Sequence, residues 1–328
     1  MTPEEWESLR DVIKGIAATL LLFLMYAGLP LIGASAGIIM YAGLSLICAP
    51  AGIIAPFPAL FYSLKQGRIA GLAIVLVTLA VLALFNPAIA IFYLFQAGLL
   101  SLFLADFLRR GEGGARSIAG AVAGIMILTV VSAAIYTLRS GINLNETIRA
   151  GIDASITQTA ALYQKGGFSA EELTAIQEAF KQSVALFGTI YPAALLLLLV
   201  VFAGLNLSLL RKSAGYLPRP PLLGPLSAYR NPDHLIWLLI VPGFCLLLDN
   251  PVVFQPALNI LIVVVGLYFI QGLAIIVMFF DRFAITPFMR GLFYVLLALQ
   301  SFLVIGVALF GIFDLWFNFR TPKTGKNL

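Results

Sequence analysis

Charge is what this chain has least of: 11% of its 328 residues are Asp, Glu, Lys or Arg, against 61% hydrophobic, with a mean hydropathy of +1.01. A soluble domain carries about 25% charged residues, so an ordinary water-facing fold is excluded. The lone histidine, His234, stands beside Asp233 with no second histidine, cysteine or carboxylate at ligand spacing. The two cysteines, Cys48 and Cys245, sit far apart inside apolar segments and read as buried structural thiols. No metal site is expected. HExxH, GxSxG, a Walker loop and a glycine-rich nucleotide fingerprint are all missing, so neither an enzyme nor a bound cofactor is indicated. The surplus of basic over acidic residues, 20 against 15, falls in short loops and does not indicate nucleic-acid binding. Cationic residues are also missing from the opening of "MTPEEWESLRD", which excludes the n-region of a cleaved signal peptide. Thr2, Pro3 and Glu5 there have the spacing of a capped helix start, leading into a short amphipathic segment anchored by Trp6.

What is abundant is apolar runs of about 20 residues, the length that crosses a roughly 30 Å hydrocarbon layer as helix. The pattern predicts an all-α, polytopic transmembrane helix bundle with the lipid bilayer as its surroundings. About nine spans are expected, near 13–32, 36–63, 69–85, 88–108, 117–138, 184–210, 234–249, 255–280 and 290–313, with eight as the other count. The whole chain, 1–328, reads as one integral membrane domain. Lys and Arg cluster after the even spans: Lys65 and Arg68; Arg109, Arg110 and Arg116; Arg211, Lys212, Arg219 and Arg230; Arg282 and Arg290. The connections at 34–35, 86–87 and 250–255 contain none, so by the positive-inside rule the N-terminus faces the cytoplasm of a bacterial inner membrane. Nine spans carry Arg320, Lys323 and Lys326 outside, against that rule. Either the last segment is not a simple crossing, or the preceding spans overrule it; nine spans with an external tail is the expectation.

Two connections are long. Residues 139–182 predict two amphipathic helices outside the membrane: one capped at Asn143 with a stripe at Leu144, Ile148, Ile152 and Ile156, and a second starting at Ser169 and continuing into span six. They form a surface decoration or a lid. Residues 211–233 form a cytoplasmic, basic connector stiffened by Pro218, Pro220, Pro221, Pro225 and Pro232.

Ionisable residues at mid-span are lacking as well. Asp106, Asp249, Asp281 and Asp314 fall near span ends, which argues against a proton pump. The polar residues at depth are uncharged: Gln96, Asn206, Asn259, Gln271 and Gln300. They serve as glue between helices or line a site for a small polar ligand. Gly120 and Gly124, at GxxxG spacing, read as a packing face. Span two is unusual because Pro50, Gly52, Pro56 and Pro58 interrupt it; the break is either a kink used for packing or, as in the interrupted spans of transporters, the mark of a substrate site. The candidate substrate-binding residues are therefore Pro50, Gly52, Pro56, Pro58, Gln96, Asn206 and Gln271.

"YFIQGLAIIVMFF" (268–280), the connector ending "RNPDHLIW" and the late "GIFDLWFNFR" (311–320) together resemble the YybS-like family of bacterial membrane proteins. The Gln271–Gly272 pair and the Asp314/Trp316/Arg320 cluster are the most specific parts of the likeness. Asn318 departs from it where the family tends to have a second Asp. The family has no assigned activity. The layout of its first six spans is similar to that of the substrate-binding subunits of energy-coupling-factor uptake systems, and to MreD-like envelope proteins. The interrupted span two, the uncharged polar residues at depth and the external amphipathic pair point to a substrate-binding or transport-related subunit working with partner membrane subunits or an energy-coupling ATPase. The alternative is a non-transporting scaffold of the cell envelope. Spans one and three do not show the coupling subunits' face of alanines at every fourth position.

Overall fold

The computed structural model describes residues 2–27, 51–141, 170–248, 250–317 and 319–320. These residues are helical or in turns, with no strand among them. The helices are α1 (Pro3–Ala27), α2 (Phe57–Gln66), α3 (Arg68–Phe85), α4 (Pro87–Tyr93), α5 (Leu99–Arg109), α6 (Gly114–Ser140), α7 (Ala170–Lys212), α8 (Trp237–Cys245), α9 (Pro251–Arg282), α10 (Pro287–Leu299) and α11 (Ser301–Phe317). They fall into two compact units. Unit 1 is Met1–Ser132 with Leu198–Leu223, and unit 2 is Ala133–Leu197 with Gly224–Leu328.

Local chemistry explains where the helices start. The Thr2 amide donates to Glu5 Oε2 at 2.7 Å and the Glu5 amide to Thr2 Oγ1 at 3.2 Å, closing the expected capping box. Asn86 and Asn250 each stand before a proline and cap the next turn: Asn86 Oδ1 accepts from the Ala88 amide at 2.9 Å, and Asn250 Oδ1 from the Val252 amide at 3.0 Å. Proline at the first helical position spares a donor that would have had no partner. Two of the three connections without Lys or Arg thus use the same Asn-Pro start, and the third, 34–35, lies outside the described residues.

Five described helices are long and apolar enough to cross a membrane, or six if α10 and α11 count as one bent span. That is fewer than nine, counted over the described residues, which leave out 28–50 of predicted spans one and two. Predicted span one begins in α1, whose first half is charged, and its remainder lies outside the described residues. Predicted span two stops its helix at turn residues Ala55 and Pro56 before α2 begins, and its first part likewise lies outside them. Predicted span seven is a short apolar helix, Asp233–Cys245. Predicted span nine bends by 109° between α10 and α11, at Gln300. The others match: Arg68–Phe85, Pro87–Arg109, Gly114–Ser140, Leu186–Lys212 and Val252–Arg282. Of the external pair, residues 142–169 lie outside the described residues, whereas the second helix does run unbroken into span six as α7.

Unit 1 packs Phe23, Ala55, Ala59, Ile74, Val75, Leu82, Tyr93 and Ala97 into one buried cluster, with the Phe23 and Tyr93 rings edge to face at 5.0 Å. Between membrane helices no water is expelled, so close contact of small residues supplies the attraction. A Cβ on Gly71 would press into Ser63, and one on Gly120 would sit 2.5 Å from the Phe107 ring. Gly124 lies against Phe103, so the GxxxG face takes up two phenylalanines of α5. Large apolar side chains point outward along the spans, with Leu84 87% and Leu138 84% exposed, as a lipid-facing surface requires.

In unit 2, α9 and α11 cross at a pair of glycines. A Cβ on Gly272 would collide with the Val307 carbonyl, and one on Gly311 with the Tyr268 carbonyl. Within α7, Pro192 removes one ladder donor, and Asn259 of α9 bridges the opening. Its Nδ2 donates to the Thr189 carbonyl at 2.8 Å, and its Oδ1 accepts from the Ala193 amide at 3.0 Å.

Candidate functional site

The predicted site residues divide between the units. Pro50 lies outside the described residues. Gly52, Pro56, Pro58, Gln96 and Asn206 fall in unit 1, and Gln271 falls in unit 2.

In unit 1 the break at Ala55 and Pro56 leaves backbone carbonyls short of donors, because proline has no N–H. Asn206 of α7, fully buried, donates Nδ2 to the Ile53 carbonyl at 2.8 Å and to the Phe202 carbonyl at 2.7 Å. The broken helix and Asn206 are therefore brought together. Asn206 Oδ1 is buried with no partner.

Gln96 lies in a π-helical turn, Leu94–Gly98, between α4 and α5, where the Leu99 amide reaches back to the Leu94 carbonyl. Such turns hold one extra residue in a helix and occur frequently at functional sites. Gln96 is 5% exposed, and neither its Nε2 nor its Oε1 has a hydrogen-bond partner. The Tyr93 and Thr78 hydroxyls lie beside one another, both fully buried, and neither is paired in good hydrogen-bond geometry. Gly98 keeps the turn close to α3, where an added Cβ would sit 2.9 Å from Val75 Cγ1. A buried polar group without a partner costs about 1–3 kcal/mol. Unit 1 thus holds one buried amide, Gln96, that the chain leaves unsatisfied, and a pair of buried hydroxyls that face only each other.

Unit 2 is the opposite. Gln271 Oε1 accepts from the Asn231 amide at 2.9 Å, while its Nε2 donates to Asp314 Oδ2 at 3.1 Å. Asn231 Nδ2 donates to the Leu267 carbonyl at 3.0 Å, and its Oδ1 accepts from the Tyr229 hydroxyl at 2.7 Å. Asp314, 1% exposed, also accepts from the Phe319 amide at 3.1 Å and Arg320 Nε at 3.3 Å. Arg320 donates Nη1 to the Ser227 carbonyl at 2.8 Å and Nη2 to the Tyr229 carbonyl at 2.5 Å. Asp314 lies near the end of α11, as expected, but it is buried there and held by a neighbouring cation and an amide, as a carboxylate out of water requires.

Other polar side chains are surface or packing features. Asp106 pairs with Arg110 at 2.5 Å and with Arg68, whereas Arg109 turns to the Ser63 carbonyl and hydroxyl. Asp281 pairs with Arg290 at 2.7 Å and not with its neighbour Arg282. Gln300 is exposed at the α10–α11 break. Among the described residues no three His, Cys, Asp or Glu side chains come together as a metal could use them.

Several apolar helices with lipid-facing surfaces, two of them broken, define a multi-pass α-helical membrane protein. More narrowly, the chain belongs to the family described as "predicted membrane protein (DUF2232)", whose model matches residues 15–315. No curated protein and no solved structure matches it significantly.

Proposed function

We propose that unit 1 binds a small, uncharged, polar molecule, and that the protein is a substrate-binding or transport-related membrane subunit. The observation that carries this is the buried Gln96 amide, without a partner at either end, with the adjoining Thr78 and Tyr93 hydroxyls in the same unit. Each offers hydrogen bonds and none carries charge, so a neutral ligand rich in hydroxyl or amide groups is the chemistry they suit. The broken helix clipped by Asn206 supports the same reading, since interrupted helices supply freed backbone groups to substrates. No nucleotide fingerprint occurs in the sequence, so energy for uptake would come from partner membrane subunits or an energy-coupling ATPase, as in the energy-coupling-factor systems.

The test is thermal unfolding of the detergent-purified protein against a panel of nucleosides, polyols and small amides. A compound present at about 100 times its Kd stabilises the folded state by about 2.7 kcal/mol, a readily measured rise in Tm. Gln96→Leu should keep the fold and abolish that rise. A panel without effect, or an equal rise in the Gln96→Leu protein, overturns the reading.

A further inference from the structure

We infer that the end of unit 1 where α3 begins and α5 finishes holds the headgroup of an anionic phospholipid, with Arg68 and Arg110 on its phosphate and one acyl chain along the outer face of α3.

Position comes first. Arg68 opens the apolar run Arg68–Phe85, and Arg109 closes the run Pro87–Arg109. The runs are joined at Asn86, and Asp106 of α5 pairs with Arg68 of α3, so these two ends lie together. Arginines at the ends of apolar spans extend their guanidiniums to headgroup depth. Gly67 makes the turn before α3: its φ of +108° is rarely adopted by L side chains, and it lets α3 begin one residue after α2 ends. Arg109 ties that turn to α5 by donating to the Ser63 carbonyl and, at 2.7 Å, to Ser63 Oγ.

Charge is the second support. Among the described residues Asp106 is the only carboxylate bonded to these three arginines. It accepts from Arg68 Nη2 and from Arg110 Nε at 3.0 Å and Nη2 at 2.5 Å, whereas Arg109 bonds to none. Three guanidiniums against one carboxylate leave two positive charges over. The neighbouring cations bring their own counter-ions: Lys65 pairs with Asp11 at 2.6 Å and Arg116 with Glu112 at 3.9 Å. The side chains of Arg68 and Arg110 are exposed and keep N–H groups to spare. A guanidinium fork matches the oxygens of a phosphate. A zwitterionic headgroup carries a cation of its own, so the surplus selects a lipid with net negative charge.

The third support is what lies beneath the cluster. Leu72 and Leu76 follow Arg68 at steps of four and so share its face of α3, about 6 and 12 Å along the helix. Both are exposed, as is Ile69. An apolar strip that starts under a cationic cluster fits an acyl chain below its phosphate, and a free phosphate ion would leave it unused.

The inference is independent of the ligand reading, since none of its residues touches Gln96. Its test is native mass spectrometry of the full chain in mixed micelles holding equal phosphatidylglycerol and phosphatidylcholine. Phosphatidylglycerol should be retained severalfold over phosphatidylcholine. Arg68→Gln should weaken that retention about fivefold, equivalent to about 1 kcal/mol for one surface cation, while Arg68→Lys keeps most of it. Arg282→Gln removes the same charge from unit 2 and should leave retention unchanged. Equal retention of the two lipids overturns the inference, as does an equal loss in Arg68→Gln and Arg282→Gln. Displacement of phosphatidylglycerol by an equal concentration of inorganic phosphate overturns the lipid as occupant.

Discussion

The two units bury similar polar side chains and treat them in opposite ways. In unit 2 the amides of Asn231 and Gln271, the carboxylate of Asp314 and the guanidinium of Arg320 spend their hydrogen bonds on one another and on backbone. In unit 1 the amide of Gln96 finds no partner, and the hydroxyls of Thr78 and Tyr93 have at most one another. The same residue type, glutamine in an apolar helix, is a fastener at position 271 and an open valence at position 96. Satisfied networks stiffen a fold and specify its arrangement. Unsatisfied ones hold a cost that an incoming ligand can relieve. Unit 2 is not uniform, since the buried Tyr268 hydroxyl is also unpaired.

The hardest way to break the contrast is at Asp314. Asp314→Ala strands Arg320, the Gln271 amide and the Phe319 amide together, and loss of one member of a buried pair costs about 3–5 kcal/mol. Reversible unfolding in mixed micelles measures it, and a cost near zero would mean that the knot fastens nothing. Gly311→Ala comes next. Its new methyl meets the Tyr268 carbonyl, a backbone atom that cannot swing aside, and overpacking of this kind costs about 1–3 kcal/mol. The sharpest comparison pairs two identical changes. Gln271→Leu leaves the Asn231 amide without its acceptor and should destabilise by about 1–3 kcal/mol. Gln96→Leu removes a group that bonds to nothing, so it should be neutral or stabilising in the ligand-free protein; equal losses at both positions would erase the distinction between the units.

Smaller effects refine the picture. Asn206→Leu releases the Ile53 carbonyl and should cost about 0.6 to 1.7 kcal/mol, the range of hydrogen bonds between membrane helices. The smallest concerns Asp11, before the apolar part of α1. The hydrogen bond from Lys65 holds its carboxyl below the ordinary 3.8. A depressed folded-state pKa contributes stability above that ordinary value and loses it as pH falls through the lower one. For a partly exposed pair this is about 0.2–1 kcal/mol. Lys65→Met should therefore flatten the acid limb of the stability profile, and an unchanged limb would remove Asp11 from its cause.

Much of the architecture was legible in the chain. The capping box at Thr2 and Glu5, the Asn-Pro starts at 86 and 250, and five of the crossings follow from local chemistry and run length. The break near Pro56 was visible as well, because proline acts on its own helix. The Asp314–Arg320 pair was not. Its members stand six residues apart, beyond the reach of neighbours on one helix turn, so they meet only because the chain folds back after Phe317. Gln271 was singled out as a polar residue within an apolar run and is buried, but its partner Asn231 sits in the proline-rich connector, where hydropathy carries no signal. Thr78 escaped notice because a threonine hydroxyl in an apolar run ordinarily bonds to its own helix, and only tertiary packing sets it beside the Tyr93 hydroxyl.

The sequence by itself determined that this is a helical membrane protein, because burying so little charge in so much apolar length permits nothing else in water or lipid. It also determined where helices begin and where prolines interrupt them, since caps and missing donors act within a few residues. Only the tertiary structure decided which apolar runs continue as unbroken helices, which amides are fastened and which stay open, and that the last run bends by 109° at Gln300. Those outcomes depend on which helices pack together, and residues as distant in the chain as Ser227 and Arg320 settle them by meeting in space.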